Sequence, residues 1–261
     1  MSDFQEQVER LLSTYNSPSQ AYWRSLELQA LQQLTCETPV LEIGCGDGQF
    51  TSMLFKEIGM GIDLNPRAIE RCSQLNGLYK DLRCADARSL TSESGTFSTV
   101  FAICVMVHVP EVRTVLSACI RLLRPGGKLV MTVPLSRMNN HLVLSGRWYT
   151  EMRQKQLNHI NLLDETGWVE LLHSVGFDHV ELRPYLSDDA CLFWDRIDAI
   201  GCIGFGRYHV SSLLSRVYRA CCPPRLKSKL RRSLAALIIK RARSEVNPQS
   251  ACATVVVAVK G

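Results

Sequence analysis

Residues 40–51 read Val-Leu-Glu-Ile-Gly-Cys-Gly-Asp-Gly-Gln-Phe-Thr. Val40, Leu41 and Ile43 form an apolar run suited to a buried strand. Gly44, Gly46 and Gly48 follow at every second position. They remove Cβ where the chain must turn sharply and where a ligand can touch main chain. The pattern predicts a helix beginning near Gln49, whose free N–H groups and positive dipole end would face the same place. Strand, bare turn and helix start together predict a nucleotide-like pocket.

The spacing narrows the ligand. A dinucleotide-binding turn reads G-x-G-x-x-G, with the third glycine packing helix on strand. Here Gln49 stands where that glycine would fall. Glu42 just before the loop would repel a pyrophosphate and suit an ammonium group, which points to an amino-acid nucleoside. A second apolar run, residues 59–64, ends on the acid Asp63, 19 residues after Gly44. That is close to the ~20-residue offset at which an acid meets ribose hydroxyls. Asn65 and Pro66 then supply an N-cap and a first-turn proline for the next helix.

With these residues in view, the chain resembles the class I S-adenosylmethionine-dependent methyltransferases, most closely the broad ubiquinone-biosynthesis type acting on small molecules. The resemblance runs over residues 38–135, and more weakly over 160–186 and 250–260. It implies that the loop Glu42, Gly44, Cys45, Gly46 and Gly48 cradles the methionine part of S-adenosyl-L-methionine. It implies that Asp63 binds the ribose diol, that Asp86 accepts from the adenine amino group, and that Leu64, Ala87 and Ile103 also belong to the cofactor site. Residues 122–131, Leu-Leu-Arg-Pro-Gly-Gly-Lys-Leu-Val-Met, look like the family's turn into a fifth strand. The implied fold is a doubly wound, seven-stranded, mostly parallel sheet with an antiparallel final strand. A helical insert precedes that strand.

The residue pattern carries much of this without the resemblance. Val112, Val115, Leu116, Cys119, Ile120 and Leu123 recur at helical spacing, and Pro125-Gly126-Gly127 ends that helix. Leu129 to Val133 reads as a buried parallel strand. Residues 177–185 and 251–260 read as further strands. Strands alternating with helices imply a doubly wound sheet. The expected divisions are an N-terminal helical lid at 1–35, a cofactor-binding core at 36–186, a basic helical insert at 187–249 and a final core strand at 250–261.

The chain has 261 residues, 46% hydrophobic and 21% charged, ordinary for a globular domain. It shows no leader pattern and no apolar run long enough to span a bilayer. Eleven cysteines lack any C-x-x-C pairing, which argues for reduced thiols in a cytoplasmic setting and against a structural metal site. The adjacent pair Cys221-Cys222 carries little expectation of redox or lipid attachment.

Methyl transfer needs alignment and exclusion of water. It needs a base only when the acceptor must lose a proton. His108, after the fourth strand where open α/β sheets place their crevice, is the candidate base. Val107 stands where relatives commonly carry an acid before this histidine, so an acid–histidine pair is not expected; a packing role beneath the cofactor is the competing reading. Tyr22 in the N-terminal segment, and Trp148, Tyr149 and His159 after the fifth strand, are candidate acceptor-pocket residues. His141 shares that segment.

Charge is unevenly placed. From Arg207 to Arg243 there are eleven Lys/Arg and no Asp/Glu, leaving 19 basic against 25 acidic residues elsewhere. Two apolar stripes lie inside this tract: one over Val210, Leu213, Leu214, Val217 and Tyr218, the other over Leu226, Leu230, Leu234, Leu237 and Ile238. Three readings stand: a helical cap with a solvated basic face, a dock for an anionic membrane surface, and an RNA-binding face. Nucleic acid is the least expected, because stacking aromatics are scarce in the tract. The expected function is methylation of a small-molecule acceptor, on oxygen or carbon, with a lipid-like, glycan or secondary-metabolite substrate. The alternatives are a non-catalytic S-adenosylmethionine-binding scaffold and an RNA methyltransferase. The sequence leaves the oligomeric state open.

Overall fold

Strands covered by helices on both faces must be apolar on both faces, and the runs read above become such strands in the computed structural model. The structure describes residues 3–261 except 16, 76, 92, 203, 206–207, 210–222 and 243–245. The strands of its main sheet are β1 (Val40–Ile43), β2 (Ile58–Asp63), β3 (Tyr79–Cys84), β4 (Phe97–Ile103), β5 (Leu123–Pro134), β6 (Phe177–Leu186) and β7 (Ala253–Lys260), and Gly204–Phe205 pairs with Tyr208–His209 in a separate short ribbon. The main sheet has the order β3-β2-β1-β4-β5-β7-β6. β1 to β5 pair in parallel, and β7 runs antiparallel between β5 and β6.

Alternate residues of each strand feed two cores. Phe101, Ile103, Val130 and Val255 face one layer; Val100, Ala102, Leu129 and Met131 face the other. The first layer holds α1 (Asp3–Thr14), α2 (Pro18–Leu31), α7 (Asp188–Cys202) and α8 (Pro224–Ala242). The second holds α4 (Val112–Leu122) and α6 (Glu165–Val175). Between β2 and β3 runs α3 (Pro66–Cys72), capped as expected by the Asn65 side chain, which accepts from the Arg67 N–H. α5 (Arg147–Leu157) follows the β5 connection.

Two local expectations need correction. No α-helix starts near Gln49. The chain makes turns and a three-residue 3₁₀ segment, Thr51–Met53. Only fourteen residues separate β1 from β2, and the glycine loop uses five of them, so the dipole argument falls away. The helix before the R-P-G-G stretch ends at Leu122, ahead of the proline. Arg124 to Gly127 instead bulge from β5: Leu123 pairs with Phe97, and pairing resumes at Lys128 with Thr99. Gly126, at φ +72°, allows that bulge.

The N-terminal segment, expected as a lid, packs into the core. Tyr22, Trp23, Leu26, Leu28 and Leu31 of α2 are buried in the core. Of the basic tract, α8 is described. The stripe from Val210 to Tyr218 and the Cys221-Cys222 pair lie outside the described residues. No helix among the described residues is long and apolar enough to cross a membrane.

Candidate active site

The glycine loop is pinned to the end of β2. The N–H groups of Gly44 and Cys45 both donate to the Ile62 carbonyl, at 2.8 and 3.0 Å. The Gly46 N–H donates to Asp63 Oδ2 at 2.9 Å. Asp63 Oδ1 accepts from the Asn65 N–H at 2.8 Å. Gly44, Gly46 and Gly48 all have positive φ, at +71°, +57° and +70°. A Cβ on Gly48 would meet Cys72 Sγ at 2.8 Å, whereas a Cβ on Gly46 would meet nothing. The loop thus packs tightly on one side and opens on the other.

Glu42 faces inward, away from the cavities described below. Its Oε1 accepts from Thr51 Oγ1 at 2.6 Å and its Oε2 from the Tyr79 hydroxyl at 2.5 Å. Burial pushes its carboxyl up to about 7, with those two hydrogen bonds opposing the rise. Gly61 clears the space for Tyr79: a Cβ there would lie 2.6 Å from the ring. Glu42 therefore sits beneath the loop and lines neither cavity. Cys45 is buried too.

A cleft of about 540 Å³ opens at the carboxyl ends of β1, β2 and β4. Gly44, Asp63, Leu64, Asp86, Ala87 and Ile103 all line it, so six of the ten expected cofactor residues meet in one place. Asp86 also caps the short turn Ala87–Ser89, and its carboxylate is held below the usual range chiefly by hydrogen bonding from Arg88. Arg88 reaches on to Glu111 Oε2 at 2.6 Å, so the cleft mouth carries an Asp86–Arg88–Glu111 chain that the sequence did not suggest.

A second cavity of about 280 Å³ adjoins. Trp23, Met138, Leu157 and Trp194 give it apolar and aromatic walls, and His159 and Asp198 add polar groups. Arg24, Cys104 and His108 line both cavities. Arg24, on α2, pairs with the fully buried Glu27 and lies 5.1 Å from the Phe50 ring centroid. Glu27 Oε1 also accepts from Thr132 Oγ1 at 2.5 Å, fixing α2 to β5. Cys104 ends β4 at φ +53°, an uncommon conformation for a residue with a Cβ. Burial pushes its thiol up to about 12, so it stays protonated.

His108 is set by its neighbour. Its Nδ1 lies 2.9 Å from the Asn158 carbonyl oxygen, which can only accept. Nδ1 therefore carries a proton, which leaves Nε2 as the ring nitrogen that can act as a base. The His159 ring stands 5.7 Å away, centroid to centroid. Burial, then the His108 and Arg153 charges, lower its pKa to about 4, so it is neutral near pH 7.

The other expected pocket residues lie elsewhere. Tyr22 is buried in the core, edge-on to Phe193 at 5.1 Å. Trp148 is 72% exposed and lines neither cavity. Tyr149 is buried, and its hydroxyl donates to Asp195 Oδ2 at 2.8 Å. Only His159 of the four reaches the smaller cavity. Trp23 and Arg24, next to Tyr22 in sequence, are the residues that reach it.

The residues present fit S-adenosylmethionine. The cleft has the size of a nucleoside-type ligand site, with the Asp63 carboxylate in its lining, apolar walls and a cation, Arg24, at one end. Residues 41–131 match the family model described as a methyltransferase domain. Over this stretch the chain is similar to methyltransferase domains, and the seven-stranded sheet around it has the fold of solved S-adenosylmethionine-dependent methyltransferases. Among curated relatives, a Synechocystis 2-methyl-6-phytyl-1,4-hydroquinone methyltransferase is 28% identical over 153 residues, covering 56% of this chain and 48% of that protein. A Xanthomonas oryzae ubiquinone biosynthesis O-methyltransferase is 34% identical over 101 residues, covering 36% and 41%. The matched stretch spans about half, or less, of those relatives' length. Among solved structures, a SAM-dependent methyltransferase from Thermotoga maritima superposes with TM-score 0.58 at 18% identity, covering 99% of this chain and 100% of that one.

Proposed function

We propose that the chain methylates a hydroxyl on a small ring-bearing acceptor of phenol or quinol type, with S-adenosylmethionine in the larger cleft and the acceptor in the smaller cavity. One observation carries this reading: the two cavities meet at Arg24, Cys104 and His108. When bound, the cofactor supplies a methyl carbon on a sulfonium, a group already activated for in-line displacement. The protein's task is then placement and proton removal. Asp63 is the candidate partner for the ribose diol, and Asp86 with Ala87 for the adenine end. Trp23 and Trp194 offer faces for a flat acceptor ring. His108 Nε2 takes the hydroxyl proton, while the Asn158 carbonyl holds the ring in the needed tautomer. Neutral His159 leaves that proton transfer without a competing charge. The printed names of the curated relatives, a hydroquinone methyltransferase and an O-methyltransferase of ubiquinone biosynthesis, support the acceptor class.

The test pairs binding with product release. Isothermal titration should show cofactor binding, and a panel of catechols and hydroquinones should yield S-adenosylhomocysteine together with a methyl ether. Asp63→Ala should weaken cofactor binding by tenfold or more, since hydrogen bonds to a charged group contribute roughly 1.5–3 kcal/mol. Unchanged affinity would remove the ribose assignment. Binding without release across the whole panel would favour a non-catalytic binder.

A further inference from the structure

Helix α8 carries two apolar surfaces. Ala235, Ile238 and Ala242 are buried against the α1–α2 layer. Leu226, Leu230, Leu234 and Leu237 point elsewhere and remain 46, 43, 37 and 43% exposed. Spacings of four and three residues align these leucines in a single row. One exposed leucine is ordinary, but a row of four on one helix is a patch. The row runs among Arg225, Lys227, Lys229, Arg231, Arg232, Lys240 and Arg241, and the helix holds no acid. Like charges three and four residues apart, such as Arg225–Lys229 and Lys229–Arg232, disfavour the helix on its own. An anionic surface relieves that cost.

We propose that this face of α8 docks the protein on an anionic lipid bilayer. The leucines enter the boundary between headgroups and acyl chains, and the cations pair with lipid phosphates. Charge decides the occupant. A second copy packed on the same face would bring two acid-free, basic helices together, cation against cation. A nucleic acid would leave the leucine row without a partner, because that row supplies no aromatic face for base stacking. The docked face lies outside the layer whose α2 residues Gln20, Trp23 and Arg24 line the smaller cavity. The proposal does not depend on the chemistry of the clefts.

Flotation of the full-length protein tests it, on phosphatidylcholine vesicles with and without phosphatidylglycerol. The protein should float with the anionic vesicles, not with the neutral ones, and high salt should weaken the attachment. Leu230→Glu/Leu234→Glu and, separately, Lys229→Glu/Arg232→Glu should each lower the bound fraction by roughly tenfold. Both variants should keep the wild-type thermal melt, because all four side chains are exposed or rim positions. Three results would overturn the proposal: no flotation on anionic vesicles, flotation untouched in both variants, or a dimer in sedimentation that the leucine variant dissolves.

Discussion

Glu42 and Asp63 sit on neighbouring strands and were both expected to hold cofactor, yet the structure gives them different places. Asp63 ends β2 and lines the cleft; Glu42, inside β1, points down and spends both oxygens on Thr51 and Tyr79. Period two decides this. On a strand covered on both faces, sequence alone does not say which face meets the ligand. The position of Glu42 has a pH signature. Its folded pKa of about 7 lies above the ordinary 4.5, so between those values the folded chain keeps a proton that the unfolded chain has released. Stability contributed by this group therefore falls as pH rises through that window and levels off above it. At about 1.4 kcal/mol per unit the fall is on the order of 3 kcal/mol. Urea midpoints at about pH 5 and about pH 8 should show this fall in the wild type and lack its share in Glu42→Gln. His108 has a kinetic signature instead. His108→Asn should cut turnover by about 10²- to 10⁴-fold with cofactor affinity held, as read by steady-state rates beside titration calorimetry. Equal turnover would make His108 a packing residue.

At the scale of elements, the apolar runs gave most of the strands, because parallel strands with two covered faces read as near-continuous hydrophobic stretches. α3 and α4 were legible from an N-cap and a helical period. The stretch after Gly48 was not: its composition permits a helix, but the short span before β2 does not. Also hidden was the clasp between α5 and α7. Fully buried Arg153 donates Nε to Asp195 Oδ1 and Nη2 to Asp198 Oδ2, both at 2.7 Å. Asp195 also accepts from the Val143 N–H and from Tyr149. Residues 42 positions apart leave no local pattern, so no reading of either helix alone could find the pair. Asp198 lines the smaller cavity, which makes the clasp part of that cavity's wall. Arg153→Met leaves buried Asp195 without its counter-charge and should cost about 3–5 kcal/mol, measurable by urea denaturation. Trp148 makes the opposite case. It was expected in the pocket for its aromatic ring, but it is largely exposed, and large size alone does not bury a side chain.

For the whole molecule, the fold class was legible because several motifs agreed in order and spacing, each weak by itself. The role of the N-terminus was half legible. Gln20, Trp23 and Arg24 of α2 line the smaller cavity, but its buried tyrosine and leucines complete one of the two cores, so it cannot swing free without opening that core. The last strand has a larger effect. Among the described residues β6 pairs only with β7, and β7 lies between β6 and β5. Deleting residues 253–260 should leave two unpaired edges inside what was a continuous sheet, and such edges seed association. Loss of the soluble fraction and of cooperative melting would check this. The same strand placement imposes an order on biosynthesis. During translation, β6 must wait as an orphan for some seventy residues of later chain. The nascent polypeptide therefore cannot finish its architecture until the segment that fills the gap has cleared the ribosomal tunnel, and in that interval its reliance on chaperones should be greatest.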